Sequence, residues 1–240
     1  MHLARKTCIL GTCAFTFLGA AAAFAGSLQK ELDQKRADFL EKAPPEKIEF
    51  YQKGIDAVAA SGIYERALAV GDQAPDFTLP NATGEKVTLA DLLKQGPVVL
   101  TWYRGGWCPY CNIALSALQE KLPEIEKAGA QLVAISPETP DHSLETAEKQ
   151  GLEFQVLSDV GNKVADTFGI VFKMTPDVAE AMEKGVGLSK WNADDSGELP
   201  LAATYVIEPD GKIAYAFLDA DYRNRAEPSE VVEALQAVKE

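Results

Sequence analysis

The chain has 240 residues, a formal net charge of −13, four cysteines, 47% hydrophobic and 25% charged side chains. That composition excludes a disordered, collagenous or disulfide-dense miniature protein, and the length allows one trimmed domain or two small ones. With 36 acidic against 23 basic side chains, nucleic acid and anionic membranes are disfavoured partners. Four cysteines allow two disulfides, one metal site, or one redox pair with two bystanders, and their positions have to decide.

Residues 1–25 read as a cleaved signal peptide. Arg5 and Lys6 precede an apolar stretch from Thr7 to Phe24, and Ala23-Phe24-Ala25 supplies an A-x-A cleavage site. An uncleaved anchor is the alternative, but the run is at the lower limit for spanning a bilayer and ends in alanines. Cys8 and Cys13 lack the surroundings of a lipid attachment site. Cleavage after Ala25 removes both, deepens the charge from −13 to −15, and leaves Cys108 and Cys111 in a compartment that permits disulfides, here expected to be the periplasm.

Residues 26–69 read as a helical extension. Leu28, Leu32, Phe39 and Leu40 lie on a helix from Ser27 that Pro44-Pro45 stops, and Glu46 to about Ala60 forms a second helix. The extension is expected to pack on the main domain; a dimerisation arm, and with it a homodimer, is the sharper alternative. From residue 70 to 240 the texture is α/β. Short strands are expected around Phe77–Leu79 and Lys86–Leu89. Val98 to Tyr103 then forms a continuous run suited to a strand buried on both faces. A helix follows from near Cys108 to Lys127, then strand 131–136, helix 140–150, strand 154–157 and helix 162–168. Strands 202–208 and 212–217, joined by the turn Pro209-Asp210-Gly211, form a hairpin before a closing helix, 228–239. This order is that of an α/β domain layered on one sheet.

The chemistry concentrates in Trp107-Cys108-Pro109-Tyr110-Cys111. A zinc site needs about four ligands, whereas the cleaved chain has no other cysteine and a single histidine, His142, so no metal site is expected. The pair follows a buried strand and opens a helix, where unpaired N–H groups and the helix dipole favour a thiolate. Spacing i, i+3 brings the Cα atoms to about 5 Å, within disulfide range. A purely structural disulfide would close only a four-residue loop and restrict the unfolded chain little, so a redox role is the better reading.

Gly71-Asp72-Gln73-Ala74-Pro75-Asp76-Phe77, the strand 98–103, the cysteine turn and Thr204-Tyr205-Val206-Ile207-Glu208-Pro209-Asp210-Gly211 together resemble the peroxiredoxins, the alkyl hydroperoxide reductase/thiol-specific antioxidant (AhpC/TSA) family. The resemblance spans about residues 70–240. It implies a thioredoxin-like fold, a central mixed sheet flanked by helices. It also implies hydroperoxide reduction without a cofactor, using electrons from a thioredoxin- or glutaredoxin-like protein. Within the family the chain most resembles a branch with W-C-x-x-C and a late Asp-Tyr-x-x-Arg, here Asp221 to Arg225.

The family pattern P-x-x-x-T-x-x-C places its proline on Arg104, its threonine on Cys108 and its peroxidatic cysteine on Cys111. On that alignment Cys111 attacks the peroxide and Cys108 resolves the sulfenic acid as a Cys108–Cys111 disulfide. The family's strand arginine is absent, Ala202 standing in its place, so Arg104, Arg223 or Arg225 has to supply positive charge, against the ordinary expectation of solvated arginines. Trp102 is expected in the core and Trp107 at the pocket mouth. Two other readings stay open. Cys108-Pro109-Tyr110-Cys111 also resembles the glutaredoxin tetrapeptide, which makes Cys108 the nucleophile of a thiol–disulfide oxidoreductase. A redox-silent thioredoxin-fold binding module is the third. Asp194 to Glu198 reads as a solvated turn rather than a calcium loop, and His142 as a surface residue.

Overall fold

The computed structural model describes residues 27–238, so the expected signal peptide lies outside the described residues. Three helices come first: α1 (Ser27–Lys42), α2 (Pro45–Ala59) and the short α3 (Ile63–Arg66). A small hairpin of β1 (Thr78–Pro80) and β2 (Lys86–Thr88) leads through α4 (Leu89–Leu93) into the central strand β3 (Val98–Trp102). Next come α5 (Pro109–Lys127), β4 (Gln131–Ser136), α6 (Pro140–Gln150), β5 (Gln155–Ser158) and α7 (Lys163–Thr167). A segment of β6 (Val171–Lys173), α8 (Pro176–Val186), α9 (Leu188–Asn192) and β7 (Glu198–Pro200) precedes β8 (Thr204–Ile207), β9 (Ile213–Phe217) and α10 (Pro228–Ala237).

The main sheet has the order β5-β4-β3-β8-β9. β3, β4 and β5 are parallel, and β8 and β9 join antiparallel. Every residue of β3 is buried, which is why the sequence there shows no polar alternation. Side chains still alternate between the faces. Val98, Leu100 and Trp102 pack with Phe168, Ile63 and Leu89, while Val99 packs with α5, α10 and α1. Trp102 is core as expected, with its ring tilted against Phe168 and edge-on to Tyr205.

The helix bearing the cysteines ends where its sequence said it would. Gly129, at φ +76°, lets the Ala130 N–H reach the Ile125 carbonyl and the Gly129 N–H reach that of Glu126, closing the last turn. Gly169 marks a tight approach: at φ +70°, a Cβ there would lie 2.2 Å from the Arg66 carbonyl oxygen, so α3 seats only against glycine.

The N-terminal extension packs on the domain. Leu28 and Leu32 are 2% and 1% exposed and belong to the cluster formed by α5 and α10. Leu32→Ala is expected to cost about 2–5 kcal/mol of unfolding free energy, read from urea denaturation. The strand and helix limits shift by a residue or two, and β8 starts at Thr204 rather than 202. The larger difference is residues 171–200, for which the sequence predicts no strand or helix. There β6 and β7 pair antiparallel and α8 with α9 lie between them, around Met174, Met182, Leu188 and Leu199.

Candidate active site

The cysteines sit where β3 hands over to α5. Trp102 ends the strand, Gly105 and Gly106 turn the chain, Cys108 occupies the position capping α5, and Cys111 is its third residue. The turn admits only glycine. A Cβ on Gly105 would meet the Trp107 indole at 2.3 Å, and one on Gly106 would meet Thr146 Oγ1 at 2.1 Å. Glu138, fully buried beyond the end of β4, accepts the Gly106 N–H at 2.8 Å and so ties the turn to the neighbouring strand. Burial pushes the Glu138 carboxyl up, against the lowering effect of that N–H. Glu138→Ala is expected to leave the Gly106 donor without its partner and to cost about 1–3 kcal/mol of stability in chemical denaturation.

Both cysteines are free thiols and both are buried. They differ in their partners. Arg225 Nη2 donates to Cys111 Sγ at 3.2 Å, and the backbone N–H of Arg104 donates to the same sulfur at 3.4 Å. Burial by itself pushes the Cys111 thiol up. The Cys108 S–H, the Arg225 and Arg104 charges and the Arg104 N–H outweigh it and hold Cys111 well below the ordinary thiol range. Cys108 moves the other way: burial, its hydrogen bond to Cys111 and the charge on Cys111 push it well up. Of the two sulfurs, Cys111 is therefore the one whose surroundings favour the thiolate.

The three candidate arginines are buried, which corrects the expectation of solvated side chains. Arg104, Arg223 and Arg225 are 6%, 6% and 7% exposed. The Arg104 guanidinium lies 4.2 Å from the Tyr222 ring centre and 5.0 Å from that of Trp107, a cation–π sandwich that accounts for its burial. Arg223 is occupied elsewhere, paired with Asp221 at 2.6 Å and donating to Gln52 Oε1 at 3.0 Å. Arg225 alone of the three places its guanidinium on sulfur.

The loop carrying Tyr222 and Arg225 is braced by the N-terminal helices. Gln52 of α2 accepts from Arg223, Tyr64 Oη of α3 accepts the Ala220 N–H at 2.8 Å, and the Gln29 N–H of α1 donates to Glu227 at 2.8 Å. Nothing in the sequence pointed to Glu138, Gln52 or Tyr64. Trp107 lines the pocket beside Cys108 and Arg104, at the cysteine end rather than at the mouth. His142 is half-buried, its ring 4.3 Å from that of Trp191, so it is less of a surface residue than its sequence context suggested. Asp194 accepts the Ser196 N–H within a turn leading into β7.

Beside the cysteines opens a pocket of about 260 Å³. Cys108, Trp107, Arg104 and Tyr222 form its inner end, α2 one wall and α8 the other. Cys108 reaches this lining, whereas Cys111 lies behind it. Two buried N–H groups of that inner end, Arg104 Nε and Trp107 Nε1, have no partner among the described residues.

A five-stranded mixed sheet with two cysteines at a strand-to-helix junction defines a thioredoxin-fold protein with a dithiol site. Sequence comparison narrows this further. The profile of the AhpC/TSA family matches residues 70–216, and the chain belongs to that family. α1–α3 precede the matched residues. The peroxiredoxin Bcp of Escherichia coli (strain K12) is 38% identical over 104 residues, 43% of this chain and 65% of that protein's length. A Mycobacterium tuberculosis relative is 31% identical over 147 residues, 61% of this chain and 91% of its own. The solved structure of the peroxidoxin BcpB from Mycobacterium tuberculosis superposes with a TM-score of 0.58 at 24% identity. It covers 72% of this chain and 99% of the other, and shows the same fold.

Proposed function

We propose that the protein is an exported thiol peroxidase in which Cys111 is the nucleophile and Cys108 the resolving thiol. The observation carrying this reading is the pair of N–H groups on Cys111 Sγ, from Arg225 and from the Arg104 backbone, which Cys108 lacks. A thiolate attacks the terminal oxygen of a hydroperoxide, the O–O bond breaks, and the remaining oxygen leaves as alkoxide or hydroxide. The Cys108 S–H, already directed at Cys111, supplies the proton that turns this leaving group into alcohol or water. Cys108 thiolate then displaces hydroxide from the Cys111 sulfenic acid. The two sulfurs have lost two electrons, the peroxide has gained them, and a dithiol protein of the thioredoxin or glutaredoxin kind returns them by exchange.

Arg104 and Trp107 serve this chemistry as donors at the pocket end. On the family alignment Cys108 stands in place of the threonine, whose hydroxyl the resemblance implies would orient the peroxide, and the unpartnered Arg104 Nε and Trp107 Nε1 are suited to take over that role. The test is stoichiometric: the reduced protein consumes one equivalent of hydroperoxide per chain while losing two thiols and gaining a Cys108–Cys111 disulfide. Thiols that survive the peroxide contradict the reading. Export to the periplasm rests on the pattern of residues 1–25; a protein found in the cytoplasm with their mass retained argues against it, and a periplasmic one with their mass retained argues against cleavage.

One observation favours a second reading, in which Cys108 attacks protein disulfides. Cys108 lines the pocket and Cys111 does not. On that reading Cys111→Ser traps mixed disulfides with partner proteins through Cys108, and hydroperoxides leave the reduced protein unchanged.

A further inference from the structure

The guanidinium on Cys111 belongs to a loop, residues 218–227 between β9 and α10. An arginine side chain is long and flexible, so it rests on a sulfur only where fixed acceptors aim it. Arg225 Nη1 donates to the carbonyls of Tyr222 and Asn224, the second at 2.7 Å, while Nη2 meets Sγ. A turn sets both carbonyls: the Asp221 carboxylate accepts the Arg223 N–H at 3.0 Å, and the Asp221 carbonyl accepts the Asn224 N–H at 2.9 Å. Apart from the two arginines, the buried residues of this loop are Ala220 and Ala226, which remove little apolar surface from water. Polar anchors therefore hold its shape, and two of them are side chains of the N-terminal helices. Arg223 forms a two-pronged pair with Asp221, and its Nη2 reaches on to Gln52 Oε1. Gln52 turns that oxygen toward Arg223 by donating Nε2 to Asp56, one helical turn further along α2, at 2.9 Å. Tyr64 Oη accepts the N–H of buried Ala220 at the start of the loop.

We propose that Gln52 of α2 and Tyr64 of α3 are positioning residues for Cys111, fixing the loop 218–227 so that the Arg225 guanidinium stays on Sγ. The inference rests on the reading of Cys111 as the reacting thiolate. It adds the residues that keep the sulfur reactive, which stand on helices outside the residues matched by the family profile. Besides burial, the groups acting on Cys111 are Cys108, Arg225 and Arg104, and Glu138 faces it from beyond β4. Arg36 of α1 acts instead on Asp221 and Tyr110. None of the groups around the sulfur stands on α2 or α3, so these helices act on it through the loop. Without the Gln52 oxygen, the buried Arg223 loses its second acceptor; without the Tyr64 hydroxyl, the Ala220 N–H loses its only one. Either loss frees the loop to turn its polar groups toward water, which draws the Tyr222 and Asn224 carbonyls away from Arg225.

The test is the pH midpoint of Cys111 alkylation by iodoacetamide, mapped by mass spectrometry on the reduced full chain carrying Cys108→Ser. It reads the ionisation of one sulfur without any peroxide. Gln52→Leu and Tyr64→Phe, at half-buried and exposed positions that leave the core intact, are each expected to raise the midpoint by about half a pH unit, roughly threefold in acidity. Gln52→Glu keeps an acceptor for Arg223 and is expected to keep the parent midpoint. On an Arg225→Met background neither Gln52→Leu nor Tyr64→Phe is expected to move it further, because the group they position is gone. Leu32→Ala loosens the packing of α1 but removes no hydrogen bond to the loop, and is expected to leave the midpoint in place. Unchanged midpoints in both Gln52→Leu and Tyr64→Phe overturn the inference and leave the peroxidase reading standing. An equal shift in Leu32→Ala overturns it as well and assigns the helices to packing alone, as does a full shift that persists beside Arg225→Met, which routes the effect around the guanidinium. Midpoints that move as expected in a protein that consumes no hydroperoxide uphold the positioning of Cys111 and overturn the peroxidase reading instead.

Discussion

Arg225→Met is expected to slow oxidation of the reduced protein by hydroperoxide roughly 10²-fold at neutral pH, the scale of losing one charged donor at a reacting atom. The guanidinium is buried and lies 3.2 Å from Cys111 Sγ, where it acts together with the Arg104 peptide N–H and the Cys108 S–H. Removing it lets burial dominate, so the Cys111 thiol moves upward. The sign in the pH profile follows. Cys111 reacts as thiolate, so the rate falls as pH drops through its depressed ionisation, and that acid limb lies below the ordinary thiol value of about 8.5. In Arg225→Met the limb moves to higher pH. Stopped-flow oxidation across pH measures both effects, and a limb that stays in place means that another group ionises.

Cys111→Ser is expected to remove peroxide reduction entirely, a fall of roughly 10³-fold or more, because the residual thiol is the one whose ionisation is suppressed. Cys108→Ser behaves differently. The serine hydroxyl keeps a donor toward Cys111, so the first oxidation step is expected to stay within about tenfold of wild type, while turnover stops because no resolving thiol remains. Rapid mixing with a limiting hydroperoxide, followed by steady-state turnover with a dithiol donor, separates the two steps.

The legibility of the site follows the range of the interactions. The run Val98 to Trp102 and the cysteine turn are local signals, and the structure places both at the junction of β3 and α5. The hairpin at Pro209-Asp210-Gly211 was legible for the same reason, since Gly211 adopts φ +87° and its N–H meets the Glu208 carbonyl. Residues 171–200 were not. β6 and β7 have three residues each and find each other across α8 and α9, so neither shows a period long enough to read. Val178, Met182 and Val186 do recur at helical spacing, and that was the available signal for α8. The contact that selects Arg225 over Arg104 and Arg223 joins residues 114 apart in sequence. The burial of Arg104 and Arg223 depends on Tyr222, Trp107, Asp221 and Gln52, partners that only the folded chain brings together. The purpose of the N-terminal helices was equally hidden, because their hydrogen bonds to residues 220–227 span the length of the domain.

The most direct measurement of the central claim is the site of the first oxidation. Reduced Cys108→Ser protein is mixed with one equivalent of hydroperoxide in the presence of dimedone, and the peptide beginning at the cysteine turn is mapped by mass spectrometry. A dimedone adduct on Cys111 in nearly every chain is the predicted result. An unmodified Cys111 there, together with a dimedone adduct on Cys108 in the Cys111→Ser protein, contradicts the account and moves the nucleophile to the sulfur that lines the pocket.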